Sequence, residues 1–247
     1  MRYLVLTDIH ANLEALDACL SHAGAHGYDR TLVLGDLVGY GPDPNETIVR
    51  IQSLNPVSMI RGNHDKVACG LEQPEGFNAV AKGAALWTYE TLTAANRTWL
   101  ATLPQGPQIV DEDVEICHGS PFDEDAYVFD ELDAVRALKV SRRLLCLFGH
   151  THCPIAFQLS QGRVETVGIS HLSETRIELT AESKYLINPG SVGQPRDGDP
   201  RAAYGIADTA ANRVELYRVD YDIETTQSKV VKAGLPGVLA QRLAVGR

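Results

Sequence analysis

The sequence predicts an α/β protein with two β-sheets in a single domain spanning residues 1–247. Three observations predict it. Residues 2–60 alternate apolar, strand-like runs with segments of helical period. From residue 154 the pattern becomes pairs of alternating segments with short polar joins. Side chains that can bind metals recur directly after the strand-like runs, at 8–10, 35–36, 62–65, 118–119 and 149–152.

The elements follow in chain order. Residues 2–7 read as a buried strand, and residues 12–25 carry Leu13, Leu16, Leu20 and Ala23 at helical spacing. Residues 31–34 form a second strand, 45–54 a short helix and 56–60 a third strand. Strand, helix, strand, helix, strand at such short spacing predicts right-handed crossovers and a parallel sheet. Residues 66–106 differ: the Ala-rich stretch 77–103, with Trp87 and Trp99, predicts one or two helices inserted over the sheet edge, a small cap. Strands return at 107–111, 113–117 and 144–148, with a helix near 130–139. The pairs 154–159 with 163–168, 175–180 with 184–188, and 202–208 with 212–219 read as antiparallel hairpins of a second sheet. The tail 222–247 reads as helix broken at Gly234-Leu235-Pro236-Gly237.

Composition excludes some functions. A net charge of −10 argues against a nucleic-acid binder or a protein that sits on an anionic membrane, since both want a basic face. An acidic protein still binds phosphate esters where metal cations supply local positive charge. Cys19, Cys69, Cys117, Cys146 and Cys153 are odd in number and lack CxxC spacing, which reads as free thiols in a reducing, cytoplasmic setting. Cys153, beside His152, is the one that can reach a metal. The chain reaches Asp8 without room for a signal peptide, and no apolar run approaches the ~20 residues of a membrane span.

Taken singly, each of the five stretches reads as a polar turn after a strand. Together they place ligands at the carboxyl ends of parallel strands, where open α/β sheets bind them. Asp8 and His10 stand two apart, so in an extended backbone both point to one ion. A carboxylate with imidazole suits Zn, Mn or Fe rather than Ca. Gly35 lets backbone approach closely, and the two oxygens of Asp36 can bridge two ions. Asn63 offers a neutral oxygen. His64 points elsewhere and is free to act on a substrate, with Asp65 as the acceptor that sets its tautomer. His118 and the pair His150 and His152 complete the set.

In Asp8-x-His10, Gly35-Asp36, Gly62-Asn63-His64-Asp65, His118 and Gly149-His150-Thr151-His152, the chain resembles the calcineurin-like metallophosphoesterases. It is similar in particular to the small prokaryotic branch that contains phosphodiesterases, a likeness that Asn188-Pro189-Gly190-Ser191-Val192-Gly193 extends to about residue 205. The resemblance implies a four-layer αββα sandwich of two mixed sheets flanked by helices, and a site for two divalent metal ions. The first ion would take Asp8, His10, Asp36 and His152; the second would take Asp36, Asn63, His118 and His150. His64 would be the general acid. Many relatives continue the second block as Gly-Asp-x-x-Asp, whereas Leu37-Val38-Gly39-Tyr40 here lacks that carboxylate, a change that bears on metal affinity. Ala11 also stands where the branch often has glycine.

Candidate substrate contacts are Ser191 and Arg196, which can offer a phosphate an N–H and a guanidinium fork, and Arg61, for which a structural ion pair is the competing reading. Tyr40 and the turn at 41–44 also border the rim. His22 and His26 read as exposed, His171 as a surface residue, and both tryptophans as core rather than a nucleobase platform. The function expected is metal-dependent hydrolysis of small soluble phosphate esters by a hydroxide held between two ions, as a phosphodiesterase or nucleotide-polyphosphate hydrolase. A phosphomonoesterase acting on nucleotides or phosphoproteins is the enzyme alternative. A non-catalytic protein-binding scaffold of the same fold is the alternative of another class, against which the complete ligand set argues. Mn, Fe, Zn, Co and Ni all suit the donors. No membrane or nucleic-acid partner is expected, and exposed sheet edges would allow a homodimer.

Overall fold

In the computed structural model, residues 1–247 are described with the exception of residues 55, 57, 170 and 171. His171 therefore lies outside the described residues, as does part of the third expected strand. The N-terminal half runs β1 (Arg2–Leu6), α1 (Leu13–His26), β2 (Arg30–Val33), α2 (Pro44–Ser53), β3 (Ser58–Met59), α3 (Asn63–Ala68), α4 (Ala79–Thr91) and α5 (Ala94–Leu100). Then come β4 (Gln108–Ile109), β5 (Val114–Ile116), α6 (Glu131–Val140), β6 (Leu145–Leu147), β7 (Ile155–Ser160) and β8 (Arg163–Val167). The chain finishes with β9 (Glu174–Glu178), β10 (Lys184–Asn188), β11 (Ala202–Asp208), β12 (Arg213–Val219), α7 (Ile223–Lys232) and α8 (Gly237–Leu243).

Two mixed six-stranded sheets result, ordered β3-β2-β1-β11-β12-β9 and β4-β5-β6-β10-β7-β8. β1, β2 and β3 run parallel, and so do β5, β6 and β10; the remaining pairs are antiparallel. The alternation of side chains along a strand explains the layers. From β1, Tyr3 and Val5 join Leu32, Ile116, Leu147, Tyr185 and Ile187 in a core shared by both sheets. Leu4 and Leu6 point the other way, against Leu16, Cys19 and Leu20 of α1. On the far side of the second sheet, Cys146, Phe148 and Leu186 pack on Ala134, Ala137 and Leu138 of α6. Helix, sheet, sheet, helix is thus the order of layers. Asn12 caps α1, its Oδ1 accepting from the Ala15 N–H at 3.1 Å.

The sheets are assembled differently from the expected pairing. β9 and β10 do not form a hairpin: β9 pairs with β12 in the first sheet, while β10 lies between β6 and β7 in the second. Nor is either sheet confined to one half of the chain. Burial gives the reason. Tyr185, Leu186, Ile187 and Asn188 are all buried, so β10 needs neighbours and cover on every side, whereas β9 is mostly exposed and suits an edge. The edge strands β8 and β9 carry Arg163, Glu165, Glu174, Arg176 and Glu178, charges that work against pairing with another strand.

Trp99 packs on the α1–α2 core. Trp87 packs with Phe77, Ala81 and Ala84, and this patch meets Val230, Leu235 and Leu239 of the C-terminal helices. The inserted α4 is therefore clamped over Tyr40 by the end of the chain. His22, expected to be exposed, is half-buried because its Nδ1 sits 2.7 Å from the Tyr204 hydroxyl. All five cysteines are free. No helix among the described residues is long and apolar enough to cross a membrane.

Candidate metal centre

Strand ends bring the five stretches together along one rim. Asp8, His10, Asp36 and His152 offer ligand atoms within 4.8 Å of one another, and Asp36, His118 and His150 do the same. Asp36 belongs to both groups. Its Oδ2 lies 3.5 Å from His10 Nε2 and 3.5 Å from His118 Nε2, and although buried it has no hydrogen-bond partner among the described residues. Its Oδ1 accepts from the His64 N–H at 2.9 Å. Asn63 joins the second group, its Oδ1 standing 3.4 Å from His118 Nε2. Cys153 is in neither group.

The backbone that does this is not extended. Asp8, His10, Asp36, His150 and His152 all have φ between 49° and 68°, the left-handed region that costs a non-glycine residue energy. The i, i+2 pairs converge because the chain turns sharply after each strand. The strain is held by a tight weave. Thr7 Oγ1 and the His150 N–H donate to the Asp8 carboxylate at 2.9 and 3.0 Å. The Asn188 amide donates to Gly149 O and Thr151 Oγ1 at 2.8 and 2.9 Å. Gly35 allows the close approach expected of it, since a Cβ there would stand 2.6 Å from the Gly62 nitrogen.

Tautomers follow from the carbonyls around the rings. The Nδ1 atoms of His10, His118 and His152 lie 3.2, 2.8 and 2.7 Å from Val38 O, Leu34 O and Gln194 O. A carbonyl only accepts, so each Nδ1 carries a proton, and in the neutral ring each Nε2 turns a lone pair inward. His10 Nε2 and His152 Nε2 then face each other at 3.0 Å. Two lone pairs at hydrogen-bond distance, beside the unpartnered Asp36 Oδ2, repel unless a cation lies among them. The donor set therefore fits metal ions.

Charge in the site agrees. Burial pushes Asp8 up to about 7. Burial opposes charge on His118, but the Asp36 carboxylate outweighs it and lifts the ring to about 10. Burial also raises Asp36, yet His118 and His64 pull it well below the usual carboxylate range. Burial holds His64 down at about 4 and His150 at about 3.

His64 lies beside the two groups without joining them, but its expected partner is elsewhere. Asp65 does not accept from it. The Asp65 carboxylate takes the Gly62 and Val38 N–H groups at 3.0 and 3.1 Å, tying the start of α3 to the loop after β2. His64 lies in the first turn of that helix, so the two side chains diverge, and His64 Nδ1 has no partner among the described residues. Rings hold it instead: Tyr40 at 4.3 Å, Phe77 at 4.6 Å and His10 at 5.0 Å between centroids. Gly39 packs flat on this ring, and a Cβ there would come within 2.6 Å of His64 Nδ1. Asp65→Asn is accordingly expected to lower thermal stability, with the amide NH₂ forced against a backbone donor, and to leave the leaving-group dependence of turnover as in the wild type. A calorimetric melt and rates on aryl and alkyl esters check both halves.

Of the three candidate substrate contacts, the structure keeps one at the cleft. Arg196 lines it, donating to the Tyr40 hydroxyl and Gln194 Oε1 at 3.3 and 3.2 Å, and no carboxylate pairs with it among the described residues. Ser191 is corrected to a buried brace: its Oγ donates to Asp8 O and accepts from the Gln194 N–H, both at 2.8 Å. Arg61 is corrected to an ion pair with Glu124 at 3.2 Å, off the cleft. The cleft itself holds about 260 Å³ between Asp36, Asn63, His64, His150, His152 and Arg196 on its floor and Glu72, Gln73, Phe77 and Asn78 on its wall. Sequence reasoning missed Phe77 and Tyr127. The signal for Tyr127 was present in the aromatic-rich run Pro121-Phe122-Asp123-Glu124-Asp125-Ala126-Tyr127-Val128-Phe129, which directly follows a ligand block.

A two-sheet sandwich with a doubled Asp/His centre at its strand ends is the architecture of a metallophosphoesterase. Residues 1–212 match the family model of the calcineurin-like phosphoesterase superfamily domain, and the chain belongs to that superfamily. It is 38% identical to an uncharacterized protein of Methanocaldococcus jannaschii, over 98% of this chain and 97% of that one. Its fold is similar to the crystal structure of a metallophosphoesterase from Sphaerobacter thermophilus, with a TM-score of 0.86 and 39% identity, covering 100% of this chain and 99% of that one. It is also similar in fold to a hypothetical protein from Pyrococcus horikoshii OT3, with a TM-score of 0.81 and 20% identity, covering 100% and 98%.

Proposed function

We propose that the protein is a dinuclear, divalent-metal-dependent phosphoesterase acting on small soluble esters, with phosphodiesters or nucleotide polyphosphates as the preferred class. The observation that carries this reading is the pair of inward lone pairs of His10 and His152 beside the unpartnered Asp36 Oδ2. Asp8, His10, Asp36 and His152 would hold one ion, and Asp36, Asn63, His118 and His150 the other. Mn, Fe, Zn, Co and Ni all suit these donors. Bound ions supply Lewis-acid charge at the phosphate and an acidified water at neutral pH.

The chain's own residues do the rest. Arg196 has no carboxylate of its own, so it is available to a phosphate oxygen, and its hydrogen bond to Tyr40 aims it across the cleft. His64 supplies the proton to the departing oxygen. It is neutral in the free protein because burial disfavours its charge, and an incoming phosphate anion provides the counter-charge that lets it take up the proton. Phe77 and Tyr40 hold the ring and keep water away from it.

The test is hydrolysis of bis-p-nitrophenyl phosphate by the protein loaded with Mn²⁺. Turnover that disappears with a chelator and returns with metal is expected. A fully loaded protein without turnover on this ester or on a panel of mono- and diesters would instead favour a binding scaffold.

A further inference from the structure

Tyr127 lines the cleft and begins an aromatic surface, continued beyond the lining by Phe129, that metal binding and proton transfer leave unused. Tyr127 lies on His150 with ring centroids 4.0 Å apart and planes 27° apart. Phe129 continues the run from Tyr127 at 5.3 Å and 8°. His150 is buried, while Tyr127 and Phe129 are 47% and 54% exposed. Three near-parallel rings therefore lead from the second group of ligands to solvent. Their exposure is built in. Val128, between them in sequence, is fully buried against Phe148 and α6, and this turns its two neighbours outward. Gly119 N–H to Glu124 O at 3.0 Å and Ser120 N–H to Asp123 O at 3.0 Å fix the start of the loop that presents them.

The chemistry of the surroundings selects the occupant. Glu72 and Asp125 line the cleft, but Lys66 pairs with both, at 2.9 and 2.7 Å, and with Glu124 at 3.2 Å. The charge of these carboxylates is thus offset in part by a cation of the protein. Nearly parallel rings also offer a flat face rather than the enclosing faces that grip an ammonium group. Gln73 lines the same cleft with an amide donor and acceptor, and Asn78 adds its NH₂ group, since its Oδ1 caps α4 through the Val80 and Ala81 N–H groups; such edges suit a heterocycle.

On the reading that this cleft hydrolyses phosphate esters, we infer that Tyr127 and Phe129 form a subsite that stacks a planar aromatic group of the substrate. A nucleobase is the chemical class that fits, with its phosphate at the Asp8 and Asp36 groups and Arg196. The test is isothermal titration calorimetry of the Mn²⁺-loaded protein with adenosine 5′-monophosphate, ribose 5-phosphate and phosphocholine. The first two share phosphate and sugar and differ by the base. Adenosine 5′-monophosphate is expected to bind about tenfold or more tightly than ribose 5-phosphate, as base–aromatic stacking implies. In a Tyr127→Leu/Phe129→Ala variant that ratio should fall towards one, and Phe129→Ala alone, at an exposed position, should lower it part of the way. Equal binding of the two in the wild type overturns the inference. So does a preference that survives in the double variant, or phosphocholine binding more tightly than adenosine 5′-monophosphate. Turnover of bis-p-nitrophenyl phosphate by the same wild-type preparation separates the two failures. Turnover without a base preference counts against the subsite alone, and no turnover counts against the hydrolytic reading.

Discussion

Asp36→Asn is expected to remove the second ion and to lower kcat/KM on bis-p-nitrophenyl phosphate on the order of 10³-fold or more. The substitution is nearly isosteric. It keeps an oxygen for the His64 N–H, which Asp36 Oδ1 accepts at 2.9 Å, so α3 should stay in place. What it removes is the negative charge between His10 and His118 and the second oxygen, 3.5 Å from each. Metal ions contribute several kcal/mol of charge stabilisation to phosphoryl chemistry, and each ~1.4 kcal/mol is a factor of ten in rate. Metal per chain, measured after dialysis, should fall from two to one or none. A variant that keeps two ions and wild-type turnover would mean that Asp36 does not bridge.

His64→Ala is expected to keep both ions and to lose activity unevenly. The His64 side chain belongs to neither ligand group, so metal content should hold at two per chain. A positioned acid contributes roughly 10²–10⁴-fold, and that contribution matters most where the leaving oxygen is basic. Alkyl esters should therefore lose close to the full factor, and p-nitrophenyl esters much less. The variant also opens a void between Tyr40 and Phe77, so a melt should accompany the kinetics. An equal loss on alkyl and aryl esters would assign His64 to structure rather than to proton transfer.

The contrast with Asp65 shows where local sequence is a good guide and where it fails. Most of the five candidate ligand stretches stood out because they follow strands with a clear apolar run, as in Leu4-Val5-Leu6 or Leu145-Cys146-Leu147, although β3 before 62–65 is only Ser58–Met59. The i, i+2 spacing of Asp8 with His10 also pointed to shared ligation. The left-handed backbone that delivers it was not legible, because nothing in an aspartate or histidine marks a positive φ. Asp65 sits next to His64 in sequence, but in a helix neighbouring side chains diverge, and the unsatisfied Gly62 and Val38 N–H groups claimed the carboxylate. Ser191 was misread for a similar reason. A backbone N–H in a glycine-rich loop looks available to a phosphate, yet Ser191 is fully buried and its hydroxyl braces Asp8.

Long-range pairing was the other blind spot. The join at 181–183 looks like a hairpin turn, and only the burial of all of Tyr185-Leu186-Ile187-Asn188 shows that β10 belongs inside a sheet. Tyr127 and Phe77 were missed because their partners, His150 and His64, lie far away in sequence. Contacts of that kind follow from the assembled sandwich, not from any local pattern.

Anomalous diffraction at the manganese edge, from crystals grown with Mn²⁺, tests the dinuclear centre most directly. Two peaks per chain are expected, one among Asp8, His10, Asp36 and His152 and one among Asp36, Asn63, His118 and His150, with the Asp36 carboxylate touching both. Peaks that avoid these residues, or a single ion that leaves His118 and His150 without a ligand role, would contradict it.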